Sequence, residues 1–201
     1  MKKVILALIV TLLLTNPSVV RAEIFPAVTL ERNSSSYSGG GTAQTHGWEF
    51  SVTEDLAVVG LGIFDLFDDG LDFSHEIGIW HTGQLVLSAT VPAGTETLLI
   101  DQFCYVETDP FWLTEGETYV IGNTTVGDPY VGNDSRSRIT TIPSITYERT
   151  LYSPSGSGFT FPTLVQDEFY SFGPNFLVVP EPMTVFLFAL GGVLIVRKRC
   201  R

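Results

Sequence analysis

Between residues 23 and 179, apolar and polar side chains alternate over short stretches. They do not recur at the three-and-four spacing of an amphipathic helix. Trp48-Glu49-Phe50-Ser51-Val52 has a period of two, which turns one face of a strand inward and the other outward. Leu56 to Phe64 is apolar and β-branched, with Gly60 and Gly62 inside it. Glu76 to Trp80 and Gln84 to Val91 flank Thr82-Gly83, a hairpin signal. Further strands are expected at 98–106, 117–121, 136–147, 159–161 and 176–179, with a turn over 113–116. Residues 33–47, rich in Ser and Gly over Asn33 to Thr42, read as a flexible loop. Many short strands separated by turns predict an all-β domain, an antiparallel β-sandwich or jelly roll. Its core is expected to draw on Trp48, Phe50, Ile77, Ile79, Phe103, Tyr119 and Ile121.

The two ends follow another pattern. Met1-Lys2-Lys3 precedes an unbroken apolar run from Val4 to Leu14, then Asn16-Pro17 and Val20-Arg21-Ala22. A basic start, an apolar middle and a small residue before the cut describe a signal peptide over 1–22, cleaved after Ala22. The run is too short to span a bilayer, which takes about 20 residues. At the other end, Met183 to Val196 is uncharged, and Arg197-Lys198-Arg199 with Arg201 follow it. Basic residues stay on the cytoplasmic side of a membrane segment, so 180–201 reads as a single hydrophobic helix with its basic end inside. Fourteen residues rise roughly 21 Å as a helix, short of the ~30 Å hydrocarbon core. Such an anchor is marginal, which suits a temporary one.

Removing both ends changes the charge. The whole chain carries −11. Residues 23–179 hold Arg32, Arg136, Arg138 and Arg149, no lysine, and all the Asp and Glu except Glu181, giving a formal −17. Phosphate binding needs clustered Lys and Arg, so nucleic acid is excluded as a partner. An acidic exterior favours solubility and cations.

The densest polar stretch is Asp65-Leu66-Phe67-Asp68-Asp69-Gly70-Leu71-Asp72. Carboxylates around a glycine suit a hard cation, and Asp65, Asp68, Asp69 and Asp72 are the candidate ligands for calcium. The spacing is not that of the helical twelve-residue calcium loop, and a solvated turn explains the same residues. His75 and His81 bracket one strand and so stand at its opposite ends, without zinc-ligand spacing, and His46 has no cysteine partner. Cys104 reads as a small core residue. Gly156-Ser157-Gly158 falls short of a nucleophile motif, and acid pairs among so many carboxylates carry no information. No catalytic set emerges. Tyr130, Tyr147, Tyr152, Trp112 and Tyr170 lie near strand ends, where sandwich lectins stack sugars, although core packing accounts for most of them equally well.

Pro180-Glu181-Pro182, the apolar run and the Arg197-Lys198-Arg199 end together resemble the PEP-CTERM sorting signal over the last 23 or so residues. Met183 departs from the small residue common there. The resemblance implies bacterial export and transient anchoring in the inner membrane. It also implies cleavage near the triplet by an exosortase-type membrane protease, and association with extracellular polysaccharide or biofilm matrix at the cell surface. Residues 46–125 are similar to an uncharacterised β-sandwich family. The likeness lies in Ser74-His75-Glu76-Ile77-Gly78-Ile79-Trp80, Leu85 to Val91, and Leu113-Thr114-Glu115-Gly116-Glu117-Thr118-Tyr119-Val120-Ile121-Gly122. It implies the fold and no activity. The expectation is a non-enzymatic exported surface protein. A carbohydrate-binding module and a secreted hydrolase are the alternatives.

Overall fold

A computed structural model of the chain describes residues 23–31, 36–38, 43–133, 138–166 and 170–180. The expected signal peptide and residues 181–201 lie outside them. The described residues form sixteen strands. These are β1 (Phe25–Pro26), β2 (Val28–Glu31), β3 (Ser36–Ser38), β4 (Thr45–Val52), β5 (Leu56–Phe64), β6 (His75–His81), β7 (Gln84–Val91) and β8 (Leu98–Ile100). There follow β9 (Phe103–Leu113), β10 (Thr118–Thr124), β11 (Pro129–Asn133), β12 (Arg138–Thr141), β13 (Ile145–Tyr152), β14 (Leu164–Gln166), β15 (Tyr170–Phe172) and β16 (Pro174–Pro180). All pairings are antiparallel. Among the described residues no helix is long and apolar enough to cross a membrane.

Two large sheets carry the fold, in the orders β1-β16-β5-β9-β8 and β14-β13-β4-β10-β6-β7. Their apolar faces meet in one core, as period-two patterning requires. In the six-stranded sheet Trp48 pairs with Ile121 and Ile121 with Ile79, so one inward row crosses three strands. Opposite them stand Val58, Leu61, Ile63, Phe176 and Val178 of the five-stranded sheet. Trp48 is the hub: its ring centroid lies 5.0 Å from Phe50, 5.5 Å from Phe172 and 6.0 Å from Phe176. Its indole N–H donates to the Pro174 carbonyl at 2.9 Å, so the one polar atom of the ring is satisfied inside the core.

Both outer faces are partly covered. Gly47, Gly122 and Gly78 form a row across β4, β10 and β6. A Cβ at Gly47 would collide with the Ile121 carbonyl, and one at Gly78 would meet Leu85 and the Phe159 ring. The bare row lets Phe159 and Phe161 lie over Trp80, Val120 and Leu151. On the five-stranded sheet, Phe64, Phe103, Tyr105 and Leu177 are capped by Val131 of β11, with Leu30 and Ile139 beside them. Asn175 fastens the amino-terminal segment: its Oδ1 accepts from Val28 N–H at 3.1 Å and its Nδ2 donates to the Val28 carbonyl at 2.8 Å.

All seven expected core residues are buried. Differences from the sequence reading have local causes. The strand expected over 98–106 is two, because Asp101 and Gln102 both adopt positive φ and turn the chain. The strand expected over 136–147 stops at Thr141 and resumes at Ile145 around Pro143, which has no N–H to give a ladder. Phe159-Thr160-Phe161 is not a strand; its rings act as a lid. Within the segment read as a loop before Trp48, Ser36–Ser38 is a strand, and β4 begins already at Thr45.

Candidate functional site

The sandwich has two poles. At one, β5 ends at Phe64 and β6 begins at His75, and the intervening loop packs against the turns following β7, β8 and β10. This pole gathers the carboxylates that the sequence singled out. Asp65 is buried, and its carboxylate accepts from Gly70 N–H at 2.8 Å and Phe67 N–H at 3.3 Å. The Cys104 thiol donates to the same carboxylate at 3.6 Å. Asp65 therefore organises its own loop, as an Asx residue does in a turn. Asp68 adopts φ 59°, while Asp69 and Asp72 are exposed. The four do not converge. Among the described residues no group of three or more His, Cys, Asp or Glu side chains is placed to hold a metal ion. The four acids expected to hold calcium are spread along a turn, and the innermost carboxylate, that of Asp65, accepts from backbone amides.

The closest polar constellation is one that the sequence did not indicate. Asp128, in the turn after β10, accepts from Asp72 N–H at 3.0 Å and Phe73 N–H at 2.9 Å. Its Oδ2 also lies 2.7 Å from His75 Nε2, and His75 Nδ1 lies 2.7 Å from the Thr124 carbonyl. Both side chains are buried. His75 and Asp128 thus tie the acidic loop to β10. They are 53 residues apart, and only the pairing of β6 with β10 brings them together. Phe73 rests over Gly127, where a Cβ would run into its ring. Beside this clasp a depression of about 280 Å³ is lined by Leu30, Asp68, Leu99, Asp101 and Gln102. Phe67 stands largely exposed at the same pole.

His46 is a second buried polar group, 6% exposed between Tyr130 and Tyr152, whose ring centroids lie 5.1 and 5.9 Å away. Gln44 contacts its Nε2. Burial lowers its pKa to about 4, since the charged ring would lose its hydration. Burial likewise raises the Cys104 thiol above its usual value, so this cysteine is no ready thiolate. Tyr105 is pushed well above the usual phenol range, first by burial and then by the charge of Asp101. His81 lies at the far end of β6 from His75, as expected, and faces Glu117 at 3.0 Å on the surface. Of the aromatic residues noted as sugar-stacking candidates, Trp112 is exposed, Tyr130 and Tyr152 flank His46, and Tyr147 packs on Phe172. Of the sorting residues, Pro180 ends β16, with its Cα opposite Leu56. Ala22, Glu181, Pro182, Arg197, Lys198 and Arg199 lie outside the described residues.

The polar groups described at this pole hold its loops in place. No family model matches the chain, and no curated protein is significantly similar to it.

Proposed function

We propose that this chain is an exported, non-enzymatic surface protein. Its residues 180–201 anchor it transiently in the inner membrane, and an exosortase-type protease then cuts the chain near the Pro180-Glu181-Pro182 triplet. Its sandwich goes on to serve in the extracellular polysaccharide matrix. The observation that carries this is the order of parts: an acidic all-β domain whose last strand ends at Pro180, the first residue of Pro180-Glu181-Pro182. β16, the last strand among the described residues, runs up to the first residue of the motif, and a cut beyond the motif leaves its described length whole. A cut inside β16 would remove Val178, a buried core residue. The jelly-roll form of the sandwich is part of this reading. It is supported by the crossings from β4 to β5 and from β9 to β10, each of which passes between the two large sheets. Intact-mass analysis of the released form should give a carboxyl terminus at or beyond residue 180, and Glu181→Ala should leave uncleaved precursor in the membrane. Equal release of mutant and wild type would overturn the processing claim.

A further inference from the structure

Both ends of the domain leave from one pole, opposite the acidic loop. Pro180 is level with Leu56 and Leu113. Phe25 pairs with Val178, so β1 begins beside the end of β16. The four turns nearest this exit are 53–55, 82–83, 114–117 and 142–144. Three of them are stitched together: Thr53 N–H donates to the Ser144 carbonyl at 3.0 Å, and Glu115 N–H to Asp55 Oδ1 at 2.7 Å. The pole is therefore a fixed surface.

Some exposed apolar side chains lie at this level, while Phe67 and Phe73 are exposed at the opposite pole. Val179 pairs with Ala57 and Ala57 with Trp112, which puts all three on one face of the sheet. Trp112 is 50% exposed. On the far edge, Ile24 and Phe25 are 50% and 36% exposed. Extending the β1–β16 register by one residue sets Ile24 opposite Val179. The apolar run begins at Met183, three residues beyond Pro180. Three peptide units reach roughly 10 Å at most, so an inserted tail holds this pole against the lipid headgroups.

We infer that Trp112, with Ile24, forms a contact surface for the bilayer interface, so that the anchored domain stands with its acidic pole pointing away from the membrane. Trp is suited to that depth because its ring is apolar and its N–H remains hydrated. Glu54, Asp55 and Glu115 are exposed at the same pole and repel anionic lipid, so an uncharged bilayer is the favoured surface. The inference rests on the proposed anchor.

The test uses the full chain reconstituted in phosphatidylcholine vesicles. Trp48 and Trp80 are buried, so quenching by external agents reports on Trp112. Vesicle-bound protein should lose quenching by aqueous acrylamide and gain quenching by lipids brominated near the headgroup. Trp112→Phe should abolish both changes. Phe67→Trp placed in that variant puts a probe at the opposite pole, which should stay open to acrylamide and untouched by brominated lipid. Failure to float with vesicles removes the anchor and this inference together. Flotation with Trp112 still fully open to acrylamide overturns this inference alone.

Discussion

Acidification should weaken the fold through His46. In the native state its pKa is lowered to about 4 by burial, against an ordinary 6.5 in the unfolded chain. Above pH 6.5 the ring is neutral in both states and contributes nothing. As pH falls below 6.5 the unfolded chain takes up a proton that the folded chain refuses, so stability falls with pH until the native ring is protonated near 4. The full span is worth about 3 kcal/mol, at 1.36 kcal/mol per pKa unit. By pH 5 about 2 kcal/mol is already lost, roughly a thirtyfold drop in the folding constant. Most carboxylates remain ionised there, so the window from 7 to 5 isolates histidine. The assay is urea unfolding of the purified chain at both pH values, beside His46→Phe. That variant keeps a ring between Tyr130 and Tyr152 but cannot ionise. Any contribution from His75 or His81 is common to both proteins. The wild type should lose about 2 kcal/mol more than the variant between pH 7 and 5. Equal losses would refute the assignment of a buried, neutral His46.

Two further outcomes follow from the opposite pole. Asp128→Ala strips His75 of its carboxylate and leaves the Asp72 and Phe73 amides without an acceptor, so it should cost about 3–5 kcal/mol and speed hydrogen exchange at those two amides; a loss below about 1 kcal/mol would show that the clasp does not hold the loop. Adding calcium or a chelator should leave the melting temperature unchanged, because Asp65 is engaged by its own loop and the other three acids do not converge with it; a rise with calcium would reinstate the loop as a cation site.

Period-two patterning alone was enough to specify an all-β domain and its main core residues, because burial of alternate side chains is a local constraint written into the order of residues. Trp48, Phe50, Ile77, Ile79 and Ile121 needed no knowledge of their partners to be placed inside. The charge of −17 was equally legible, since it is a property of composition. What the Asp65–Asp72 loop does was not legible. Carboxylates close in sequence suggested a ligand set, whereas the fold turned Asp65 inward to its own amides and sent Asp69 and Asp72 outward. The true partner of that loop, Asp128, is set by the β6–β10 pairing, a contact between segments far apart in the chain. The same holds for the exit pole. Trp112 gives no sign in sequence of lying in one row with Ala57 and Val179, and only the β16-β5-β9 register sets an exposed indole at the level of Pro180. Which residues face inward is decided by neighbours along the chain. Which polar groups meet, and which side chains share an exposed row, is decided by strand order, and that depends on the whole sheet.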